Sequence, residues 1–192
     1  MVNIAIFASG SGSNAENISN YFKNKEGASV RLIISNKADA FVHKRAEVLG
    51  VKSVTFSKDD FEKTDLVLDC LRENQIDFIV LAGFLLKVPQ NLIDAYPQRI
   101  VNIHPALLPK FGGKGMYGDN VHKAVVAARE SESGITIHYI NENYDEGNII
   151  FQAKCEVLSD DTFQNVAEKV HQLEYLHFPP VIDSVIAELS KG

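Results

Sequence analysis

The sequence predicts an α/β fold: a mostly parallel, doubly wound, Rossmann-like sheet with an antiparallel strand late in the chain. Short runs rich in Val and Ile alternate with longer amphipathic segments, which is the pattern of repeated βαβ units. One run, Phe78 to Ala82, is apolar at every position, as a buried parallel strand requires. Two strand-like runs near the end of the chain are joined by a turn-rich segment, which favours antiparallel pairing there.

The elements can be assigned in order from the apolar pattern. Strand-like runs occupy residues 2–7, 30–34, 51–56, 78–82, 100–103, 134–140 and 149–157. Segments with helical periodicity occupy residues 14–23, 40–49, 57–74, 89–95, 120–130 and the last 30 residues. Asp39 and Ser57 are the predicted N-caps, Gly50 is a predicted helix end, and Pro179-Pro180 is expected to interrupt the last helix. The longest irregular segment runs from Pro105 to about Gly118.

Length, composition and charge indicate a single domain over residues 1–192. Hydrophobic residues make up 45% and charged residues 23%, an ordinary globular composition that leaves no excess of Pro, Gly or Ser for a linker. The net charge of -6 has the wrong sign for binding nucleic acid through its phosphates. The chain starts without a secretory pattern, its two cysteines lie far apart, and no apolar run reaches the ~20 residues of a membrane span. We therefore expect a cytoplasmic protein without nucleic-acid or membrane partners.

The first candidate site is the turn from Ser9 to Asn14, which follows the first strand and opens the first helix. Free backbone N–H groups and the helix dipole favour an anion at such a place. The turn also satisfies the G-x-G-x-x-A fingerprint of dinucleotide-binding proteins, but the second strand ends in ISNK, without an acidic residue for a ribose hydroxyl. The pattern therefore favours a monophosphate over NAD, and the alternative is a tight turn that binds no ligand.

The second candidate is the pair Asn102 and His104, at the end of a predicted strand. The two-residue period of a strand sends both side chains to the same side. An amide beside an imidazole can stabilise the oxyanion of a tetrahedral intermediate while the imidazole handles protons, as acyl transfer to an amine requires. Asp145, in the loop between the last two predicted strands, would favour the protonated imidazole if it came close. The alternative is an aspartate that only stabilises its own turn.

The remaining histidines give weaker signals. His122 and His138 lie at no recognised metal-ligand spacing from each other or from His104, so we expect no metal site. His171, Glu174 and His177 recur at helical spacing, so this face either contacts a ligand or is simply solvated.

The motifs, taken together, resemble those of one family. They are SGSGSN after the first strand, SNKADA after the second, LAGF, NIHPALLP and GITIHYINENYDEGNIIFQAK. In this order they resemble the folate-dependent formyltransferases that act on glycinamide ribonucleotide, and the segment from Gly134 to Gly147 matches the signature of formyltransferases with its spacing intact. The resemblance implies the formyltransferase fold. It also implies transfer of the formyl group of 10-formyltetrahydrofolate to the amine of 5'-phosphoribosylglycinamide in purine biosynthesis.

The resemblance also implies roles for individual residues. Asn102 and His104 would stabilise the transferring formyl group, and Asp145 would tune that histidine and help to move the proton. The implied substrate contacts are Gly12, Ser13 and Asn14 for the phosphate and Glu174 for the amine. The implied folate contacts are Asn102, the loop around residues 141–145, and the backbone of Leu85, Leu86, Lys87 and Val88. The implied partners are small molecules alone, with no metal, and the protein would be a monomer or a homodimer.

The chain departs from the best-known bacterial pattern of this family. Leu85-Leu86 replaces a Met-Arg pair, and an arginine near residues 61–64 that contacts the folate has no counterpart, with Lys63 as the nearest cation. The loop at residues 111–120 is also longer and richer in Gly. A cis peptide bond is common in the family at the position of Leu108-Pro109.

Two alternatives share parts of this pattern. A formyltransferase with another acceptor, such as methionyl-tRNA, or a formyltetrahydrofolate hydrolase would use the same catalytic residues. Those proteins usually carry an additional domain, which we expect this chain to lack. A non-catalytic folate- or nucleotide-binding module is the alternative of a different class, and the intact set of Asn102, His104 and Asp145 argues against it.

Overall fold

The computed structural model describes residues 1–142 and 145–189 and contains one seven-stranded sheet. The strands are β1 (Val2–Phe7), β2 (Ala28–Ser35), β3 (Lys52–Thr55), β4 (Phe78–Leu81), β5 (Ile100–His104), β6 (Glu132–Tyr139) and β7 (Ile149–Glu156). The helices are α1 (Ser13–Phe22), α2 (Val42–Leu49), α3 (Lys58–Lys63), α4 (Leu66–Glu73), α5 (Gln90–Ala95), α6 (Asp119–Ala127) and α7 (Phe163–Leu189). Within the described residues, no helix is long and apolar enough to span a bilayer.

The order of the strands confirms the predicted fold class. The sheet runs β3-β2-β1-β4-β5-β6-β7, and the pairings among the first five of these strands are parallel. β6 is antiparallel to both β5 and β7. β4, the fully apolar run, lies at the centre of the sheet with every residue buried. The strand order reverses between β1 and β4, so their carboxyl ends border the crevice in which such sheets bind ligands.

Helices cover both faces of the sheet, as alternation along the strands requires. Ile4 and Ile6 of β1 point into one core, which also takes residues from α1, α2, α6 and α7. Ala5 and Phe7 point into the other, which takes residues from α3, α4 and α5. Because a strand sends successive side chains to opposite faces, β1 alone contributes to both cores.

The prediction of one helix over residues 57–74 is wrong. Ser57 caps α3 as predicted: its hydroxyl accepts from the N–H of Asp60 at 3.2 Å, and the Asp60 carboxylate accepts from the N–H of Ser57 at 2.7 Å. The chain then leaves the helix at Thr64, which is extended, and α4 starts at Leu66. The Thr64 hydroxyl donates to the carbonyl of Asp60 and accepts from the N–H of Leu66, so a local side chain competes with the backbone helix.

The prediction that Pro179-Pro180 interrupts the last helix is also wrong, because α7 is continuous through both prolines. Pro179 has no N–H and leaves the carbonyl of Tyr175 without its helical donor. The side-chain amide of Asn17 on α1 donates to that carbonyl at 3.0 Å. A partner from a neighbouring helix therefore replaces the missing backbone hydrogen bond.

Asp39 is not the cap of α2, although Gly50 ends the helix in the predicted left-handed conformation. α2 begins at Val42, three residues beyond Asp39, and its N-cap is Phe41. The N–H of Val42 donates to the carbonyl of Gly10, in the turn after β1, at 3.1 Å. The start of α2 is thus set by a contact with another turn, which a search for local capping residues does not detect.

Candidate functional site

A cavity of about 530 Å³ opens at the carboxyl ends of β1, β4 and β5, where the strand order reverses. The residues predicted by name to bind substrate or folate, or to act in catalysis, all line it, whereas Glu142 of the predicted folate-contacting loop does not. Those that line it are Gly12, Ser13, Asn14, Leu85, Leu86, Lys87, Val88, Asn102, His104, Asp145 and Glu174. The volume is that of a pocket for a small-molecule ligand.

Gly12, Ser13, Asn14 and Glu174 form what we call the anion-binding end of the cavity. Gly12 is the N-cap of α1 and adopts a left-handed conformation with φ of 74°. A Cβ atom at this position would lie 2.3 Å from Cγ2 of Val42 and 2.9 Å from its Cα, so only glycine fits between the turn and α2. Gly12 has no side chain to cap the helix, so the N–H groups of the first turn of α1 have no side-chain cap and are of the kind that bind anions.

Glu174 reaches this end from α7. Its side chain is buried, and its carboxylate accepts a hydrogen bond from the amide of Asn14 at 2.8 Å. Burial raises the pKa of the Glu174 carboxyl, and the hydrogen bond from Asn14 opposes that shift. The other amide atom, Oδ1 of Asn14, is buried without a hydrogen-bond partner among the described residues.

The structure separates the three residues of the predicted helical stripe. His171 is exposed and lines the cavity together with Glu174. His177 lies instead against the ring of Phe151 on β7, with 4.9 Å between ring centroids. Two of the three positions thus face the cavity and the third packs on the sheet.

Asn102, His104 and Asp145 form another part of the cavity, which we call the catalytic end after the role that the sequence predicts for them. Asn102 and His104 leave β5 on the same side, and His104 is only 3% exposed. Its Nδ1 lies 3.7 Å from Oδ2 of Asp145, and its Nε2 is 2.8 Å from the carbonyl oxygen of Phe111. The carbonyl and the carboxylate, one at each ring nitrogen, restrain the orientation of the imidazole.

His138 is a further member of the catalytic end whose contact sequence reasoning missed. It is fully buried on β6, directly opposite Asn102 on β5. Its Nδ1 is 2.9 Å from the carbonyl of Tyr139 and must donate there, so its Nε2 accepts from the Asn102 amide at 3.1 Å. Burial lowers the pKa of His138, which keeps it in the neutral form that this contact needs. The contact with His138 thereby restrains the orientation of the Asn102 amide.

His122 lines the cavity from α6 but has no partner for one of its nitrogens. It is 2% exposed, and its Nδ1 is buried without a hydrogen-bond partner among the described residues. Burial, with His171 as the next contributor, lowers the pKa of His122 to about 4, so the ring is neutral near pH 7. The described residues include no cluster of three or more His, Cys, Asp or Glu side chains arranged to hold a metal ion.

The segment after β4 forms a third, more apolar wall. Val88 is buried, Leu85 is 43% exposed, and the N–H of Leu85 donates to the hydroxyl of Ser9 at 2.9 Å. Asn141 also lines the cavity, while positions 143 and 144 of the predicted folate-contacting loop lie outside the described residues. Lys63 pairs with Asp59 at 2.9 Å and does not line this cavity. Leu108-Pro109 is in the cis form, as is common in the family that the sequence resembles.

Comparison with known proteins yields one consistent set of relatives. A family described as formyl transferase matches residues 2–182. The chain is 39% identical to the chloroplastic phosphoribosylglycinamide formyltransferase of Arabidopsis thaliana over 98% of its own length, and spans 66% of that protein. It is 34% identical to the phosphoribosylglycinamide formyltransferase of Bacillus subtilis over 100% of its own length and 98% of that protein. The crystal structure of the Anaplasma phagocytophilum phosphoribosylglycinamide formyltransferase superposes with a TM-score of 0.89 at 28% identity, covering 97% of this chain and 88% of that one.

Proposed function

The chain belongs to the formyl transferase family, and we propose that it transfers the formyl group of 10-formyltetrahydrofolate to the amine of 5'-phosphoribosylglycinamide, a step of purine biosynthesis. One observation carries the proposal. The N-terminus of α1, which has no side-chain cap, lies in the same cavity as an Asn, His and Asp set suited to acyl transfer. A substrate with a phosphate at one end and an amine at the other would reach both.

The phosphate binds the N–H groups at the start of α1, beside Ser13 and Asn14. Gly12 lets the backbone approach this group, since a side chain here would overlap Val42. Glu174 lines the same cavity as His104 and attracts the substrate's amino group. The ligand thus enters with its amine directed at the catalytic end.

The amine nitrogen attacks the formyl carbon of the folate, and a C–N bond forms while the carbonyl oxygen becomes an oxyanion. Asn102 and protonated His104 stabilise that oxyanion, and Asp145 stabilises the positive charge of His104. The C–N10 bond of the folate then breaks, and the proton lost by the amine ends on N10. No covalent intermediate with the enzyme and no metal ion takes part in this scheme.

The folate lies against the wall formed by Leu85, Leu86, Lys87 and Val88 and uses backbone groups of that segment. The apolar part of this wall suits the face of the pterin ring, and the backbone groups suit its polar edge. The same scheme requires only small-molecule partners and is compatible with a monomer or a homodimer in the cytoplasm. Light scattering of the purified protein would test the oligomeric state.

The test is a spectrophotometric assay of tetrahydrofolate release with 10-formyltetrahydrofolate and 5'-phosphoribosylglycinamide. Release that requires the acceptor is the expected result. The variant Asn102→Ala plus His104→Ala should lose at least about 1,000-fold in kcat/KM, as expected when an oxyanion donor and a proton-transfer group are both removed. Release without the acceptor would indicate a hydrolase. Folate binding without release would indicate another acceptor or a binding module.

A further inference from the structure

The loop after β5 contacts both members of the His104 and Asp145 pair. The carbonyl oxygen of Phe111 lies 2.8 Å from Nε2 of His104. Two residues later, the N–H of Gly113 donates to Oδ2 of Asp145 at 2.8 Å. The same carboxylate oxygen lies 3.7 Å from Nδ1 of His104. Segment 111–113 therefore contacts Nε2 of the His104 ring at one end and, at the other, the carboxylate that faces Nδ1 of the same ring.

Two residues of this connection have a strained backbone conformation. Phe111 and Asp145 both adopt φ of 55°, in the left-handed region that residues other than glycine rarely enter. Between them in space lies Gly112, where an added Cβ would be 2.6 Å from Cδ2 of Leu108 and 3.4 Å from Cβ of Asp145. Strained residues of this kind persist when the surrounding structure holds them, and they collect at functional sites.

The contact with Phe111 decides which nitrogen of His104 carries a proton. A carbonyl oxygen can only accept, so Nε2 must be the donor. In the neutral ring the lone pair is then on Nδ1, which faces Asp145, and both residues line the cavity. When the ring takes up a proton, that proton adds to Nδ1, because Nε2 already holds one.

We propose that segment 111–113 is a positioning element that holds His104 with Nε2–H on Phe111 and Nδ1 directed at the reacting formyl group. Nδ1–H is then the donor to the oxyanion, and Gly113 holds Asp145 where it stabilises that charged ring. The assignment of the reacting group rests on the proposed function. The assignment of the two ring nitrogens does not, because it follows from contacts within the protein.

Gly113→Ala tests the connection, and the chain offers a matched control. Gly113 has φ of 93° and Gly27 has φ of 96°, and an added Cβ meets no atom within 4 Å at either position. Gly27 precedes β2 and does not line the cavity. Both alanine variants therefore carry the same backbone strain, but only Gly113→Ala shifts a loop that contacts His104 and Asp145.

The expected kinetic result is a fall in kcat of about 10- to 100-fold for Gly113→Ala, as for a small misplacement of reacting groups, with KM for both substrates within about two-fold. Gly27→Ala should keep the kcat of the unaltered protein. Equal kcat values for the two variants would overturn the proposal, as would a change in KM alone for Gly113→Ala.

A spectroscopic measurement tests the ring assignment without any substrate. In nitrogen-15 NMR of histidine-labelled protein, neutral His104 should show a protonated Nε2 whose proton exchanges slowly with water. That slow exchange should persist in Gly27→Ala and be lost in Gly113→Ala. A neutral ring protonated at Nδ1 would overturn the proposal. If the protein turned over neither substrate, the proposed function would fail while this measurement still decided the ring assignment.

Discussion

The anion-binding end of the cavity comes mainly from one short stretch of chain, whereas the catalytic end is assembled from distant ones. Gly12, Ser13 and Asn14 are consecutive and form the N-cap and the first two residues of α1. His104 and Asp145 are 41 residues apart (145 − 104) and meet only because β5 and the loop after β6 lie side by side. A binding site for an anion needs only backbone groups in one turn, but proton transfer needs side chains held against each other.

The two ends also depend on the fold in different ways. At the anion-binding end, Gly12 fits closely against α2, so a change there disturbs the packing of two helices. At the catalytic end, Asp145 is partly exposed and is held by hydrogen bonds from a loop, so its charge can be removed without opening a core. Changes at the first end should therefore appear in stability and in KM, and changes at the second in kcat.

The largest effect is expected from Asp145→Asn. The substitution preserves the size of the side chain but removes the charge that stabilises protonated His104, so kcat should fall about 1,000-fold, or ~4 kcal/mol in the barrier. The thermal unfolding temperature should change little. Steady-state kinetics across pH, with calorimetry on the same sample, makes the comparison. An unchanged turnover number and pH profile would exclude this role for Asp145.

Gly12→Ala should act in the opposite manner, mainly on the fold. The left-handed conformation and the overlap with Val42 together should lower the free energy of unfolding by about 3–4 kcal/mol and weaken binding of the phosphorylated acceptor. Gly50→Ala is the control, since Gly50 has φ of 69° with no atom near the added Cβ, and should lose only about 1 kcal/mol. Equal losses in urea unfolding would show that the contact with α2 contributes nothing.

His122 lies between the two ends and should make the stability depend on pH. Its pKa is lowered to about 4 in the folded protein, whereas the unfolded chain binds a proton near 6.5. As pH falls, the unfolded state therefore takes up the proton first. The contribution of neutral His122 to the free energy of unfolding is complete above pH 6.5 and is lost as pH falls toward 4, by up to about 3 kcal/mol. Urea unfolding at several pH values should show a smaller loss in His122→Asn. Parallel curves for the two proteins would contradict the assignment.

The smallest effect on stability is expected at the hydrogen bond between Asn17 on α1 and the Tyr175 carbonyl on α7. Asn17→Ala removes the donor that replaces the missing N–H of Pro179, and should lower the free energy of unfolding by about 1 kcal/mol. Asn20→Ala, at an exposed position on the same helix, should change it by less than about 0.5 kcal/mol. Chemical unfolding measures both. A loss no greater in Asn17→Ala than in Asn20→Ala would mean that water serves the carbonyl equally well.

Most of the fold follows from patterns within a few residues. The apolar run of β4, the cap at Ser57 and the left-handed Gly50 were all predictable, because each reflects a local preference of the backbone. The break at Thr64 was missed although its cause is local, whereas the other two failures, at Pro179 and at the start of α2, depend on partners distant in sequence. Pro179 remains inside a helix because Asn17, 158 residues before Tyr175, supplies a hydrogen bond to the Tyr175 carbonyl.

The candidate site likewise contains features that follow from local sequence and features that depend on how distant segments pair. The turn at Gly12 and the shared side of Asn102 and His104 could be predicted from a glycine pattern and a two-residue period. The contact of His138 with Asn102 could not, because it depends on the register in which β5 and β6 pair. That Gly134 and Gly147 match the family signature is a property of the sequence alone. That an added Cβ at either glycine would come within 2.0 Å of a carbonyl on the neighbouring strand is a property of the fold.

By itself, the sequence determined the fold class, the order of the strands along the chain and the chemical types at the site, because these depend on composition, periodicity and short motifs. Only the tertiary structure decided the orientation of the His104 ring and the neutral state of His138. It also decided the buried setting of His122 and Glu174. Those properties depend on the distance to a particular carbonyl or carboxylate and on exclusion of water. Both arise only when segments far apart in the chain pack together.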